Sequence, residues 1–398
     1  RPQPTLPREA AAAGGAGGAD DTGAAAAAVD GSDDAAAVEP ELLTPLGRHL
    51  AFLPLDPRMG KAIVLGCLLR CLEPILTITA ALSVKSPFVI PLGKEKAVDA
   101  VRRRLAGDSQ SDHYMLLNAI NGWREAKRRG GGAAARSYEW DHFLSPQTLR
   151  MIEDMREQFR DLLREMGFLR ADGRLADGGD ANEHGGSWGV TRAVLAAGLY
   201  PNLIRVDFGR KRCKLFTPND GKLKPHPGSV NGNEHNFDHR WLCYSDKVRG
   251  VGGLFVYDTT PVPPFAYALF GAGRDDGALI RREAQYAAGV WVGVEDWVYF
   301  AADVRTADAV EAVRMALRRV LTAAIARPRR AMAGADVALV HAVAAALRDA
   351  PDLDGRRDGG RFESDERGGG GGVGRGGGSS GGSGGSFRGG GAYRGGGG

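Results

Sequence analysis

The sequence is short of the features that define several broad classes of protein. Its 398 residues hold only four cysteines, Cys67, Cys71, Cys213 and Cys243, with no CxxC pair, so a disulfide-stapled secreted scaffold is not expected. Cys67 and Cys71 are four apart and His235 and His239 have finger-like spacing, but the CxxC half of a zinc site is missing. No metal is therefore expected. The most apolar stretch, Ala62 to Val84, is interrupted by Arg70, Glu73 and Pro74, which suits a helical hairpin in a core better than a membrane span. No basic segment followed by an apolar one marks a secretory leader. A phosphate-cradling GxxxxGK[ST] is absent, since the Gly-Lys pairs at 60, 93 and 221 lack the first glycine and the following hydroxyl. No Asp-Glu-x-His follows an apolar strand either, so nucleotide hydrolysis is not expected of these residues.

Glycine, by contrast, is abundant, with 59 residues gathered toward the two ends. Residues 1–40 are mainly Ala, Gly and Asp, and 351–398 consist largely of Arg-Gly-Gly and Gly-Ser runs. Neither end has the apolar side chains to offset the entropy of ordering, so both are expected to be disordered. The tail also scatters Arg361, Arg367, Arg375, Arg388 and Arg394 with Phe362, Phe387 and Tyr393 through its glycines. That mixture offers cations and stacking rings to a polyanion without a fixed shape. The net charge of +4 is too small for a globally basic protein, so any polyanion surface in the middle must be local.

The middle reads as a multidomain α+β chain. The prolines of residues 42–57 suggest a strand-and-turn stretch. Apolar periodicity then predicts helices over 61–72, from Pro74 through Leu82, over 94–105 and over 113–128. Ser145, Pro146 and Gly167 frame a further helix as N-cap, first turn and C-cap. A short helix over 190–198 precedes six short strands, at 203–208, 213–217, 223–226, 241–245, 253–260 and 266–270, whose turn-separated spacing suggests a small barrel. Two strands at 290–294 and 297–300 lead into helices at 306–326 and 335–347. Trp123, Trp140, Trp241 and Trp297 are expected in the core. Asp112 and His113, at a helix start capped by Ser111, are expected to have a structural role.

Several words in this middle resemble the region after the motor in DEAH/RHA helicases. They are Leu-Thr-Pro-Leu-Gly at 43–47, Leu-Pro-Leu-Asp-Pro at 53–57, Ser-Pro-Phe-Val-Ile-Pro-Leu-Gly-Lys-Glu-Lys at 86–96 and Ser-Asp-His at 111–113. Ala-Gly-Leu-Tyr-Pro-Asn at 197–202 and His-Pro-Gly-Ser-Val-Asn at 226–231 are similar to that family's oligonucleotide-binding fold. Val-Glu-Asp-Trp at 294–297 and the glycine-rich tail resemble the RNA helicase A and G-quadruplex-resolving subfamily. The resemblance implies the end of a winged-helix domain over 41–59, an all-α helicase-associated, ratchet-like domain over 60–186 and a small OB-fold β-barrel over 187–272. A strand-helix extension over 273–350 and the tail follow. It also implies single-stranded RNA as ligand, 3′-to-5′ translocation driven by RecA domains in cis that use ATP and Mg²⁺, and a possible G-patch-type partner. The broken apolar stretch predicts no membrane, and the sparse cysteines favour a reducing compartment, the nucleus or the cytoplasm. A stand-alone RNA-binding protein with no unwinding activity is the alternative.

On the family's RNA-facing motif fall His226, Ser229 and Asn231, which can reach phosphates and base edges. Lys247 and Arg249 on one loop, Arg210 and Lys211 on another, and Lys85 beside Lys94 and Lys96 are candidate phosphate contacts. Arg102, Arg103 and Arg104 spray around a helix axis and are expected mostly to face water. Where the family carries a Thr-Ser pair, this chain reads Lys247-Val248-Arg249-Gly250-Val251-Gly252-Gly253, which removes a hydroxyl contact there.

Overall fold

A computed structural model describes residues 42–209, 213–234, 237, 239–271, 281–286, 289–294, 298–348 and 350. Its first difference from the sequence reading lies in residues 42–57. These start two helices, α1 (Pro45–Ala51) and α2 (Pro57–Leu68), instead of a strand. Each proline sits where the backbone N–H has no helical partner in any case. The residue before each supplies the cap: Thr44 Oγ1 accepts from Gly47 N at 3.0 Å and Asp56 accepts from Arg58 N at 2.8 Å. Arg70 turns the chain at φ 57° into α3 (Leu72–Leu82), two residues earlier than Pro74 suggests. The Arg70 guanidinium then reaches Asp177 at 2.7 Å and Glu183 at 3.1 Å, tying down the long loop before α7.

Helix α4 spans Glu95–Ala106, and α5 (Asp112–Asp141) contains a break at Gly130 and Gly131, where φ is 63° at Gly131. Trp123 Nε1 donates to Glu139 Oε1 at 2.8 Å. Sixteen residues along one straight helix would stand about 24 Å apart, so the chain folds back at these glycines into a helical hairpin. Helix α6 (Pro146–Met166) has the anticipated frame, with Ser145 accepting from Thr148 N and Gly167 at φ 86°. Helix α7 (Trp188–Leu199) crosses α2 so closely that a Cβ on Gly198 would lie 2.5 Å from Ala62 Cβ.

The sheet comprises β1 (Leu203–Asp207), β2 (Lys214–Thr217), β3 (Gly221–Pro225), β4 (Trp241–Cys243), β5 (Asp246–Gly250), β6 (Gly253–Tyr257) and β7 (Thr260–Pro261). Strand order is β5-β6-β3-β2-β1-β4-β7. Every pairing is antiparallel except β3 with β6. Among the described residues β5 and β7 are free edges, so the strands form an open sheet and not a closed ring. Its interior is a small cluster around Ile204, Val206, Leu215, Phe237, Leu242 and Val256.

Residues 246–250 form strand β5 where a loop is expected, and residues 266–270 lie in helix α8 (Pro264–Phe270) where a strand is expected. Pro264 opens that helix. Buried Arg314 closes it by donating from Nη1 to Ala268 O at 2.5 Å and from Nη2 to Gly271 O, a cationic cap on the carbonyls a helix leaves unpaired. A three-stranded antiparallel sheet follows, β8 (Arg281–Tyr286), β9 (Gly289–Val294) and β10 (Val298–Asp303), then α9 (Val304–Ala326) and α10 (Gly334–Arg348). One continuous core runs from α2 through α7 and α8 to α9 and α10. Trp123 and Trp241 lie in it, whereas Trp140 is 84% exposed, against expectation. It occupies the outer side of the second hairpin arm, whose inner side is taken by Glu139 and Ala135. Trp297 lies outside the described residues.

The helices and the sheet are joined most tightly at the start of α5. Fully buried His113 places Nδ1 2.6 Å from Thr260 Oγ1 and Nε2 3.0 Å from Ser245 Oγ, and burial lowers its pKa to about 3. The unfolded chain takes up a proton near pH 6.5, but the folded one does not until about pH 3. Stability is thus lost as the pH falls through that window, by up to about 1.4 kcal/mol per pH unit. Urea unfolding between pH 7 and 5 should show this slope, and His113→Gln should flatten it. An equal slope in both proteins would exclude His113 as its source.

Candidate nucleic-acid interface

Between the ratchet of helices and the sheet lies a cleft of 340 Å³, built by the α3–α4 loop, α4, the start of α5 and the loop after β3. A second, of 600 Å³, runs from the α1–α2 turn to β5. The two share Leu82, Tyr257 and Asp258 in their walls, so together they outline one groove across the junction.

His226 enters this groove from the end of β3. Its ring stacks on Tyr257 at 4.2 Å with 22° between planes, and its Nδ1 accepts from Gly228 N at 3.1 Å. The proton therefore sits on Nε2. Burial, with Arg102 nearby, lowers the His226 pKa, which favours a neutral ring that presents an N–H. Ser229 also lines the cleft, but its hydroxyl is already donated to Asp112 Oδ2 at 2.6 Å.

Asn231, expected to face RNA, points inward instead. Its side chain is 2% exposed, and Nδ2 donates to Gln110 O and to Thr259 Oγ1, each at 2.8 Å. It braces the loop and does not face the groove. Lys247 and Arg249 lie on an exposed strand instead of a loop. Lys247 is ion-paired with Asp220, while Arg249 has no ion pair among the described residues. Lys85 is exposed between Val84 and Ser86 of the cleft wall. Arg210, Lys211 and the tail residues Arg367, Arg375, Arg388, Tyr393 and Arg394 lie outside the described residues.

Three further contributors escape the sequence reading. Arg102 is the one arginine of its triplet that turns inward: it is buried, sits 4.9 Å over the Phe88 ring and donates to Gly228 O at 3.1 Å. Tyr257 supplies the ring under His226. Asp258, at φ 52°, has its pKa pushed up to about 7 by burial and by the carboxylates of Asp112 and Asp246. The helical phase of residues 102–104 against Val98 and Val101 is the signal that singles out Arg102, since all three share the buried side of α4.

The groove wall holds more carboxylates than cations. Asp56, Asp112, Asp246 and Asp258 outnumber Arg58 and Arg102, and Arg58 is engaged by Asp56 at 2.9 Å. The nearest exposed cation is Lys85, between two residues of the wall, whereas Arg249 lies on the opposite face of β5 from the groove-lining Asp246 and Val248. No cluster of three or more potential metal ligands occurs among the described residues, and no described helix is long and apolar enough to cross a membrane.

Residues 56–116 match the helicase-associated domain (HA2), ratchet-like, and residues 191–273 match the oligonucleotide/oligosaccharide-binding (OB)-fold. The chain thus carries the two modules that characterise the C-terminal region of DEAH-box helicases. Within that group it is similar to human ATP-dependent DNA/RNA helicase DHX36, with 40% identity over 292 residues, covering 72% of this chain and 28% of that protein. It is also 44% identical over 231 residues to Arabidopsis thaliana DExH-box ATP-dependent RNA helicase DExH1, covering 58% and 22%. Mouse ATP-dependent RNA helicase DHX29 is 32% identical over 300 residues, covering 74% and 21%. The chain therefore spans between a fifth and under a third of the length of these relatives.

The bracing role of Asn231 is open to a direct test. Replacing it with Leu leaves Gln110 O and the Thr259 hydroxyl short of a donor, at a cost of about 1–3 kcal/mol. A chemical-denaturation midpoint unchanged in Asn231→Leu would contradict it.

Proposed function

We propose that the chain is the RNA-gripping module of an ATP-dependent DEAH-box helicase and that the groove at the helix–sheet junction holds a single strand with its bases inward. The observation that carries this reading is the groove's polarity, with an aromatic stack and carboxylates in the wall and the exposed Lys85 beside it. Cations suit phosphates. Carboxylates repel phosphates but accept from the amino groups of base edges, and a flat pair such as His226 on Tyr257 offers a face for base stacking. In this reading Lys85 touches the backbone, Arg102 holds the Gly228 turn in place, and Asp258, titrating near neutrality, accepts from a base or donates to one. Translocation would be driven by RecA domains that use ATP and Mg²⁺, with a G-patch-type protein as a further partner.

Replacing His226 with Glu removes the N–H donor and adds a charge beside the strand. Affinity for single-stranded RNA should fall by about 1–3 kcal/mol, with the thermal midpoint unchanged because the side chain is only partly buried. Equal RNA affinity of the two proteins would return His226 to bracing its turn.

The tail enters the proposal by composition. Its arginines and aromatic residues should add sequence-tolerant contacts, so removing residues 367–398 should weaken all RNAs alike. For every phosphate that the tail neutralises, its removal should flatten the slope of log affinity against log salt by about 0.7. A truncated chain with the same affinity and slope would make the tail a spacer.

A further inference from the structure

The C-terminal half of α9 and the turn into α10 enclose a groove of 940 Å³ that lies apart from the RNA groove. Its rim carries Arg318, Arg319, Arg327 and Arg330, all exposed, and none has an ion-pair partner among the described residues. One carboxylate, Asp336, stands among them. Its floor is apolar, formed by Met315, Met332 and a series of alanines. Four guanidinium groups around one channel repel each other unless an anion is shared between them, and a guanidinium fork matches a carboxylate bidentately.

Two features distinguish the anion this groove suits. No aromatic side chain lines it, whereas grooves for single-stranded nucleic acid pair their cations with stacking rings. The methionines and alanines instead favour a partner with small apolar side chains between its charges, since methionine packs adaptably against such surfaces. An acidic, weakly apolar peptide has that character.

The chain itself contains one. Between Arg8 and Arg48 there is no Lys, Arg or His, and the stretch Asp30–Glu41 carries Asp30, Asp33, Asp34, Glu39 and Glu41 among alanines and valines. It leads directly into α1, preceded by Leu42 and Leu43, which are 86% and 62% exposed. Helix α1 is anchored on α9 close to the groove, because His49 Nε2 lies 2.8 Å from Ile325 O, and the neighbours of Ile325, Ala324 and Ala326, belong to the groove lining. From His49 back to Glu41 the path is about 6 Å of helix and about 10–14 Å of extended chain. The acidic stretch is therefore tethered within reach of the arginines at a millimolar effective concentration.

We infer that the arginine groove of α9–α10 is the docking site for the acidic stretch Asp30–Glu41 of this same chain. Docking clips the segment that enters the ratchet domain onto the C-terminal extension. It does not depend on where RNA binds.

The test uses the full chain and a glutamate-specific protease, reading cleavage at Glu41–Leu42 against cleavage at Glu9–Ala10 as an internal reference. Docking should make the Glu41 bond slower to cut than the Glu9 bond, by about tenfold for several tethered ion pairs, and 1 M salt should abolish the difference. The double replacement Arg318→Glu with Arg327→Glu should also abolish it while leaving the melting midpoint in place, since both side chains are exposed. Adding Asp33→Arg and Asp34→Arg to that variant should restore protection. Equal cleavage at the two bonds in the unaltered chain, or protection that survives the arginine reversal, would overturn the inference. Weakened RNA binding by the arginine variant with unchanged cleavage would also overturn it and assign the groove to nucleic acid.

Discussion

The arrangement of the whole molecule hangs on one carboxylate. Asp112, at the first turn of α5 and 2% exposed, accepts from Ser229 Oγ at 2.6 Å, Val230 N at 2.8 Å, Thr259 N at 2.8 Å and Thr259 Oγ1 at 3.2 Å. All four donors belong to two loops of the sheet domain. Burial pushes the pKa of this group up, and the hydrogen bonds oppose that push. A carboxylate taken out of water costs several kcal/mol, and charge-assisted hydrogen bonds return about 1.5–3 kcal/mol each. What the clasp supplies is orientation, because only one placement of both loops satisfies all four bonds.

That placement creates the groove. With Ser229 and Val230 held on Asp112, Gly228 comes within reach of Arg102, and His226 lies against Tyr257. His113, next in sequence, fastens Thr260 and Ser245 from the other side. Ser-Asp-His thus adds a polar register between the helices and the sheet, which also share apolar packing, since Leu203, Trp241 and Cys243 of the sheet lie in the core that runs through the helices while a second cluster fills the sheet. Apolar contact is non-directional. Apolar packing holds the helices against the sheet, and the directional polar bonds fix their register.

The parts of the fold legible in the sequence are those governed by local chemistry. Ser145, Pro146 and Gly167 bound α6 because caps act within one turn. The stripe Leu149, Ile152, Phe159 and Leu163 gives the same helix its buried side. Residues 42–57 mislead because proline disfavours both a strand interior and a helix interior, and only the caps at Thr44 and Asp56 separate a broken strand from two helix starts. Residues 266–270 mislead because Phe, Tyr and Leu suit either state. A distant residue, Arg314, decides between them by closing the helix from another element. Around His226, the members of the motif divide by burial. The inward turn of Asn231 depends on Gln110 and Thr259, which are 121 and 28 residues away in sequence. No local pattern carries that information.

The carboxylate-rich wall has a consequence for any strand held there. A phosphate forced toward Asp246 or Asp258 would meet like charge in a partly desolvated place, where Coulomb repulsion is stronger than in bulk water. A base turned the same way would meet acceptors and a ring face. Repulsion from the wall and attraction to Lys85 would act in the same sense, so which side of such a strand faced inward would be set as much by exclusion as by contact. A carboxyl titrating near 7, as at Asp258, changes from acceptor to donor in the physiological range, whereas Asp56 stays an acceptor, its pKa held low by Arg58. The middle of the groove, at Asp258, is thereby chemically unlike its Asp56 end, although both are lined by aspartate.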